Sequence, residues 1–89
     1  MVSILDTIGE GYRPGQPLTK REREVIILIS LGHADKDIAA ILDISARTVQ
    51  TYVTRIVIKL QTANRTHAAC RFLASEPRET LINLGFVQE

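Results

Sequence analysis

No Asp or Glu occurs between Ala46 and Leu60, and the apolar residues in that stretch keep a strict rhythm. Val49, Val53, Ile56 and Leu60 recur at steps of four, three and four. At about 100° per residue they fall within one narrow arc, the mark of an amphipathic helix with a single buried stripe. Arg47, Thr51, Thr54 and Ile58 lie on the opposite face, flanked by Gln50 and Arg55. Ser45 stands just ahead, where a serine oxygen can accept a first-turn amide. The rest of the chain must then be read for elements that cover the stripe.

Three further helices are legible upstream and downstream. Thr19-Lys20-Arg21-Glu22 has capping-box spacing, so a helix is expected to start there. Val25, Leu28 and Ile29 are expected to face the core, and Gly32 supplies the stop. A short helix is expected from Asp35 to Leu42, with Asp35 and Asp37 at its positive end and Ile38, Ile41 and Leu42 apolar. Ala39 is small enough to let another helix pass close, and Asp43-Ile44 reads as a tight turn. Asn64 caps a helix running to about Ser75, with Ala68, Ala69, Phe72 and Leu73 as its stripe. Pro77 ends it or opens a short extra helix from Arg78 to Leu84. The fold expected is therefore all-α, with four helices and a short C-terminal addition. Residues 1–17 divide into a short apolar face (Val2, Ile4, Leu5, Ile8) and a Gly/Pro linker. Residues 18–75 form the domain and residues 76–89 a C-terminal extension.

At 89 residues the chain is one small domain with a modest core. No apolar run is long enough to span a bilayer, and Cys70 has no partner for an intrachain disulfide, which together suit the cytoplasm. The net charge of +1 hides an asymmetry. Leu18 to Leu73 carries nine basic and five acidic residues, a local +4, whereas the flanks carry −3. A DNA backbone responds to the local charge.

Two short helices and a tight turn, the second helix showing an acid-free polar face, describe a helix-turn-helix. Such a helix fits the major groove. Gln50 can pair bidentately with adenine, and Thr51 and Thr54 can offer a hydroxyl to a base or a methyl to thymine. Arg47 and Arg55 can meet guanine or phosphate. Lys36, Ser45 and Thr48 can meet phosphate through a helix N-terminus or a hydroxyl. Lys59 is either a phosphate contact or a surface lysine.

The chain also resembles LuxR/GerE-type domains. Leu18-Thr19-Lys20-Arg21-Glu22-Arg23-Glu24-Val25 is similar to their opening L-T-x-R-E-x-E-V. The likeness continues through Gly32, Lys36-Asp37-Ile38-Ala39, Leu42, Ile44-Ser45 and Arg47-Thr48-Val49. It closes on Val53, Lys59-Leu60 and Asn64-Arg65-Thr66-His67-Ala68. The resemblance implies a four-helix domain whose third helix enters the major groove and whose fourth mediates dimerisation. Arg65, Ala68, Ala69, Cys70 and Leu73 would then form the homodimer contact, the small alanines leaving room for a close partner helix; the alternative is that Ala68, Ala69 and Phe72 are intrachain core. Gln50, Tyr52 and Ile58 depart from the family, which often has a basic residue, histidine and arginine there. The reading face is thus less basic than usual, and weaker, less salt-sensitive binding is expected.

Other readings compete. Ile27 and Leu31, with Ile26 beside them, are expected to point away from the core. They suggest an extra packing surface, covered by Val2, Leu5 and Ile8 or by Leu81, Leu84 and Phe86. Together with Ile58 they favour a module that binds a regulatory protein or RNA polymerase. A sigma-factor-like promoter reader is a related alternative. His33, His67 and Cys70 are too few for a zinc site, and Ser45 reads as a cap rather than a nucleophile. No catalytic, cofactor or metal site is expected. No receiver domain fits in residues 1–17, so the chain is either complete or an excised output domain.

Overall fold

The computed structural model describes residues 13–85. These form five helices and no strand: α1 (Lys20–Ser30), α2 (Asp35–Leu42), α3 (Ala46–Leu60), α4 (Arg65–Ser75) and α5 (Arg78–Asn83). The architecture is all-α, as expected. α1 packs on α3 and α4, α2 packs mainly on α3, and α3 packs on α4. α5 follows without a fully buried residue of its own.

Local chemistry places the helix ends. At α1 the Glu22 amide donates to Thr19 Oγ1 over 3.2 Å, and the Thr19 amide donates back to Glu22 Oε1 over 2.8 Å. Both halves of the capping box are present, which satisfies two otherwise free donors. Gly32 at φ +95° turns the chain out of α1. There the His33 amide reaches the Leu28 carbonyl and the Gly32 amide reaches that of Ile29, the pairing of a Schellman motif. The same pairing recurs after α2 and α3, around Asp43 and Gln61, both at φ 56°. Aspartate tolerates this left-handed conformation, whereas glutamine adopts it at a cost of about 1 kcal/mol.

The core consists of Val25, Ile26, Ile38, Ala39, Val49, Ile56, Ala68 and Phe72. One expectation needs correction, that of an outer surface built on Ile26, Ile27 and Leu31. On α1 the fully buried residues are Glu22, Val25 and Ile26, while Leu28 and Ile29 are only half-buried against the core. α1 is gripped by both α3 and α4, so its buried arc shifts toward the side that carries residues 22, 25 and 26. Ile26 and Ile27 therefore do not extend an outer surface, and of that trio only Leu31 is exposed, at 46%. On α2, Ile41 is 54% exposed, and Ala39 is buried beside Ile38. Of the segments expected to cover the outer patch, Val2, Leu5, Ile8 and Phe86 lie outside the described residues, and Leu81 and Leu84 are half-buried.

One polar contact sits inside this core. Lys59 Nζ lies 2.6 Å from Glu22 Oε1, with side-chain exposures of 4% and 1%. The same carboxylate oxygen accepts the Thr19 amide, so cap and ion pair share one atom. Removing either partner leaves a charge stranded in the core, which typically costs about 3–5 kcal/mol. Glu22→Gln and Lys59→Met should each lower the unfolding free energy by roughly that amount. The double substitution should cost clearly less than the two losses combined, as read by a denaturant double-mutant cycle; additive losses would contradict the coupling. Gln61→Gly should instead raise stability by up to ~1 kcal/mol in the same titration, by relieving the left-handed glutamine.

Candidate nucleic-acid interface

α2, the Asp43 turn and α3 form a helix-turn-helix whose second helix divides cleanly into two faces. Val49 and Ile56 are fully buried, and Val53 and Leu60 pack partly against the core. Arg47, Gln50 and Thr54 are exposed on the other side, with Thr51 half-exposed beside them. Ile58 is half-buried rather than fully outward.

The N-terminal end of α3 carries two hydroxyls and no acidic side chain. Ser45 Oγ accepts the Thr48 amide at 3.0 Å and lies 2.8 Å from Thr48 Oγ1. One hydroxyl donates to the other, so the accepting hydroxyl keeps a proton for an outside acceptor. No acid stands in the first turn of α3, which leaves the positive end of its dipole uncompensated. Lys36 is exposed in the first turn of α2. Asp35, in the same turn, is engaged by Arg65 of α4. That ion pair draws one carboxylate of this turn toward α4.

On the flank of α3 the Arg55 guanidinium lies over the Tyr52 ring, 5.3 Å from its centroid. Spacing alone did not suggest this pair, although the two residues stand three apart on one helix. Tyr52 itself packs against the core, so the ring is a firm base for the arginine.

Lys59 does not belong to this face. It is buried and paired with Glu22, so it is neither a phosphate contact nor a surface lysine. Its position next to Leu60 and three after Ile56, on the edge of the buried stripe, was the available signal.

The fourth-helix set is only partly available to a partner. Ala68 is fully buried within the chain and is a core residue, which corrects its assignment as a contact. Ala69 and Leu73 are half-buried against the core. Arg65 is held by Asp35, and Cys70 is exposed. At the start of α4, Asn64 Oδ1 accepts the His67 amide and His67 Nδ1 accepts the Ala63 amide. His67 is thus part of a helix cap, and no group of three potential metal ligands occurs among the described residues. At the other end, Arg23 grips both oxygens of Glu76 at 2.7 and 2.8 Å and lies over the Phe72 ring. The hydrogen bond to Glu76 raises the guanidinium pKa further above its ordinary value.

Residues 16–72 match the family described as bacterial regulatory proteins, luxR family. The transcriptional regulatory protein LiaR of Bacillus subtilis is 42% identical over 69 residues, covering 78% of this chain and 33% of its own length. DesR of the same organism, also named a transcriptional regulatory protein, is 42% identical over 60 residues, covering 67% of this chain and 30% of its own. The response regulator protein VraR of Staphylococcus aureus is 41% identical over 51 residues, covering 57% and 24%. The chain thus spans a third or less of these relatives. The matched family is one of transcriptional regulators and not of enzymes.

Ser45→Ala should remove the α3 cap and lower stability by about 1 kcal/mol, measured by thermal or denaturant unfolding. An unchanged midpoint would mean that the serine–amide bond contributes nothing in solution.

Proposed function

The chain belongs to the luxR family of bacterial regulatory proteins, and on that premise we propose that it is a sequence-specific DNA-binding transcriptional regulator. α3 lies in the major groove, with its N-terminal half against base edges. The observation that carries this reading is the exposed, acid-free face of Arg47, Gln50, Thr51 and Thr54 on a helix whose reverse side is locked into the core. Gln50 reads a base, while Lys36, Ser45, Arg47, Thr48 and Arg55 hold phosphates or, for the arginines, guanine. Two copies bind as a homodimer through the exposed part of α4, around Cys70 and the accessible edges of Arg65, Ala69 and Leu73. They read half-sites about 10 base pairs apart. The protein works in the cytoplasm, and no helix among the described residues is long and apolar enough to cross a membrane.

A second reading has its own observation. Leu31 and Ile41 are large apolar side chains left exposed. They favour a surface that docks a regulatory protein or RNA polymerase, either beside DNA binding or in place of it.

Selection of bound duplexes from random oligonucleotides, followed by a salt titration on the winner, tests the proposal. A defined site should emerge. Phosphate contact by Lys36, Arg47 and Arg55 gives a slope of log affinity against log salt of roughly −3 per protomer. Binding no better than to random duplex at low salt would overturn the DNA reading and leave the docking reading.

A further inference from the structure

Threonine is the ambiguous residue on the face of α3, because it carries both a hydroxyl and a methyl and the two read different groups on the base edges. A hydroxyl that donates can serve guanine N7 or O6 and thymine O4, whereas a methyl packs against the C5-methyl of thymine. The structure removes part of the ambiguity. Thr51 Oγ1 donates to the Arg47 carbonyl at 3.2 Å, and Thr54 Oγ1 donates to the Gln50 carbonyl at 3.1 Å. Each hydroxyl has one proton, and in both residues that proton is turned back along the helix, one turn toward its N-terminus.

Retargeting a hydroxyl to a base would break a bond already made. The exchange returns little, because one hydrogen bond replaces another. What each threonine can add without loss is its methyl or its oxygen as an acceptor from adenine N6 or cytosine N4, and of the two the methyl makes no directional demand on the base. Gln50 stands between Arg47 and these two residues on the same face, and its side-chain amide presents one donor and one acceptor, the pattern that matches adenine N7 and N6.

We propose that Thr51 and Thr54 determine specificity as methyl readers, giving this domain a half-site in which thymine methyls face both residues beside an adenine facing Gln50. The proposal rests on α3 being the groove helix. It makes the central part of each half-site A·T-rich, with recognition by shape and methyl contact rather than by hydroxyl donation.

The test pairs protein and DNA substitutions that remove one group at a time. The site is the one selected from random oligonucleotides, and affinities are read by fluorescence titration at fixed salt. Thr51→Val and Thr54→Val keep a methyl and lose the hydroxyl, and each should bind within about twofold of the parent. Thr51→Ser and Thr54→Ser keep the hydroxyl and lose the methyl, and each should weaken binding by roughly three- to tenfold. Replacing the facing thymine by deoxyuridine removes only the C5-methyl and should weaken binding of the parent to a similar extent. The same replacement should then have little further effect on the matching serine variant. The opposite pattern, with serine tolerated and valine not, would overturn the proposal. So would a winning site without thymine at these positions, or equal deoxyuridine losses in parent and serine variants. Thermal melts of all four variants establish that they fold. A parent protein that prefers no sequence over random duplex would instead overturn the groove-helix reading itself, so the two failures are distinct.

Discussion

Glu22 Oε1 is asked to do two things at once. It closes the cap of α1 by accepting the Thr19 amide, and it neutralises Lys59 in the interior. Lys59 belongs to the last turn of α3, so this oxygen ties the start of the first helix to the end of the third. The contact is directional where the rest of the core is not. Aliphatic side chains such as Val25, Ile38 and Val49 can slide against one another at modest cost. A buried ammonium and carboxylate cannot separate without stranding both charges. The pair therefore fixes the axial register of α3 against α1, and with it the height at which Arg47, Gln50, Thr51 and Thr54 are presented.

The peripheral ion pairs complete this frame. Arg65 reaches from α4 to Asp35 at the start of α2, and Arg23 reaches from α1 to Glu76 beyond α4. Both join helix ends distant in sequence, and both are partly exposed. Their contribution to stability is small beside that of the interior pair. Their geometric role is larger, because α2 carries no side-chain cap of its own at Ala34. Packing of Ile38 and Ala39 and the Arg65 contact must position it.

How much of this was legible in advance depended on range. Thr19, Ser45 and Asn64 were recognisable as caps because a cap is set within three residues. The stripe on α3 was recognisable because a helix embraced on one side has one apolar arc. α1 was harder: it is held by two helices, so Ile26 is buried although it lies outside the arc through Val25, Leu28 and Ile29. Lys59 was misread because its partner is 37 residues away. No local pattern announces such a pairing, although Glu22 does share a helix face with Val25 and Ile26. Ala68 looked like a site of close approach for a second chain, yet the close approach is by the chain's own core. The smallness of a residue shows that something comes near and does not show whose it is.

The partition of α3 carries a consequence for how such a sequence can change. Its inward residues, Val49, Ile56 and Lys59, are bound into contacts with other helices, and substitutions there disturb folding. Arg47, Gln50 and Thr54 share the same fifteen-residue helix but are exposed. Substitutions at such positions usually alter stability by no more than about 0.5 kcal/mol. With α3 as the proposed groove helix, folding and reading are written on one helix in two nearly independent alphabets, interleaved at a spacing of three and four residues. Drift in the outer alphabet can move the domain from one target to another without passing through an unfolded ancestor, while the inner one stays almost silent.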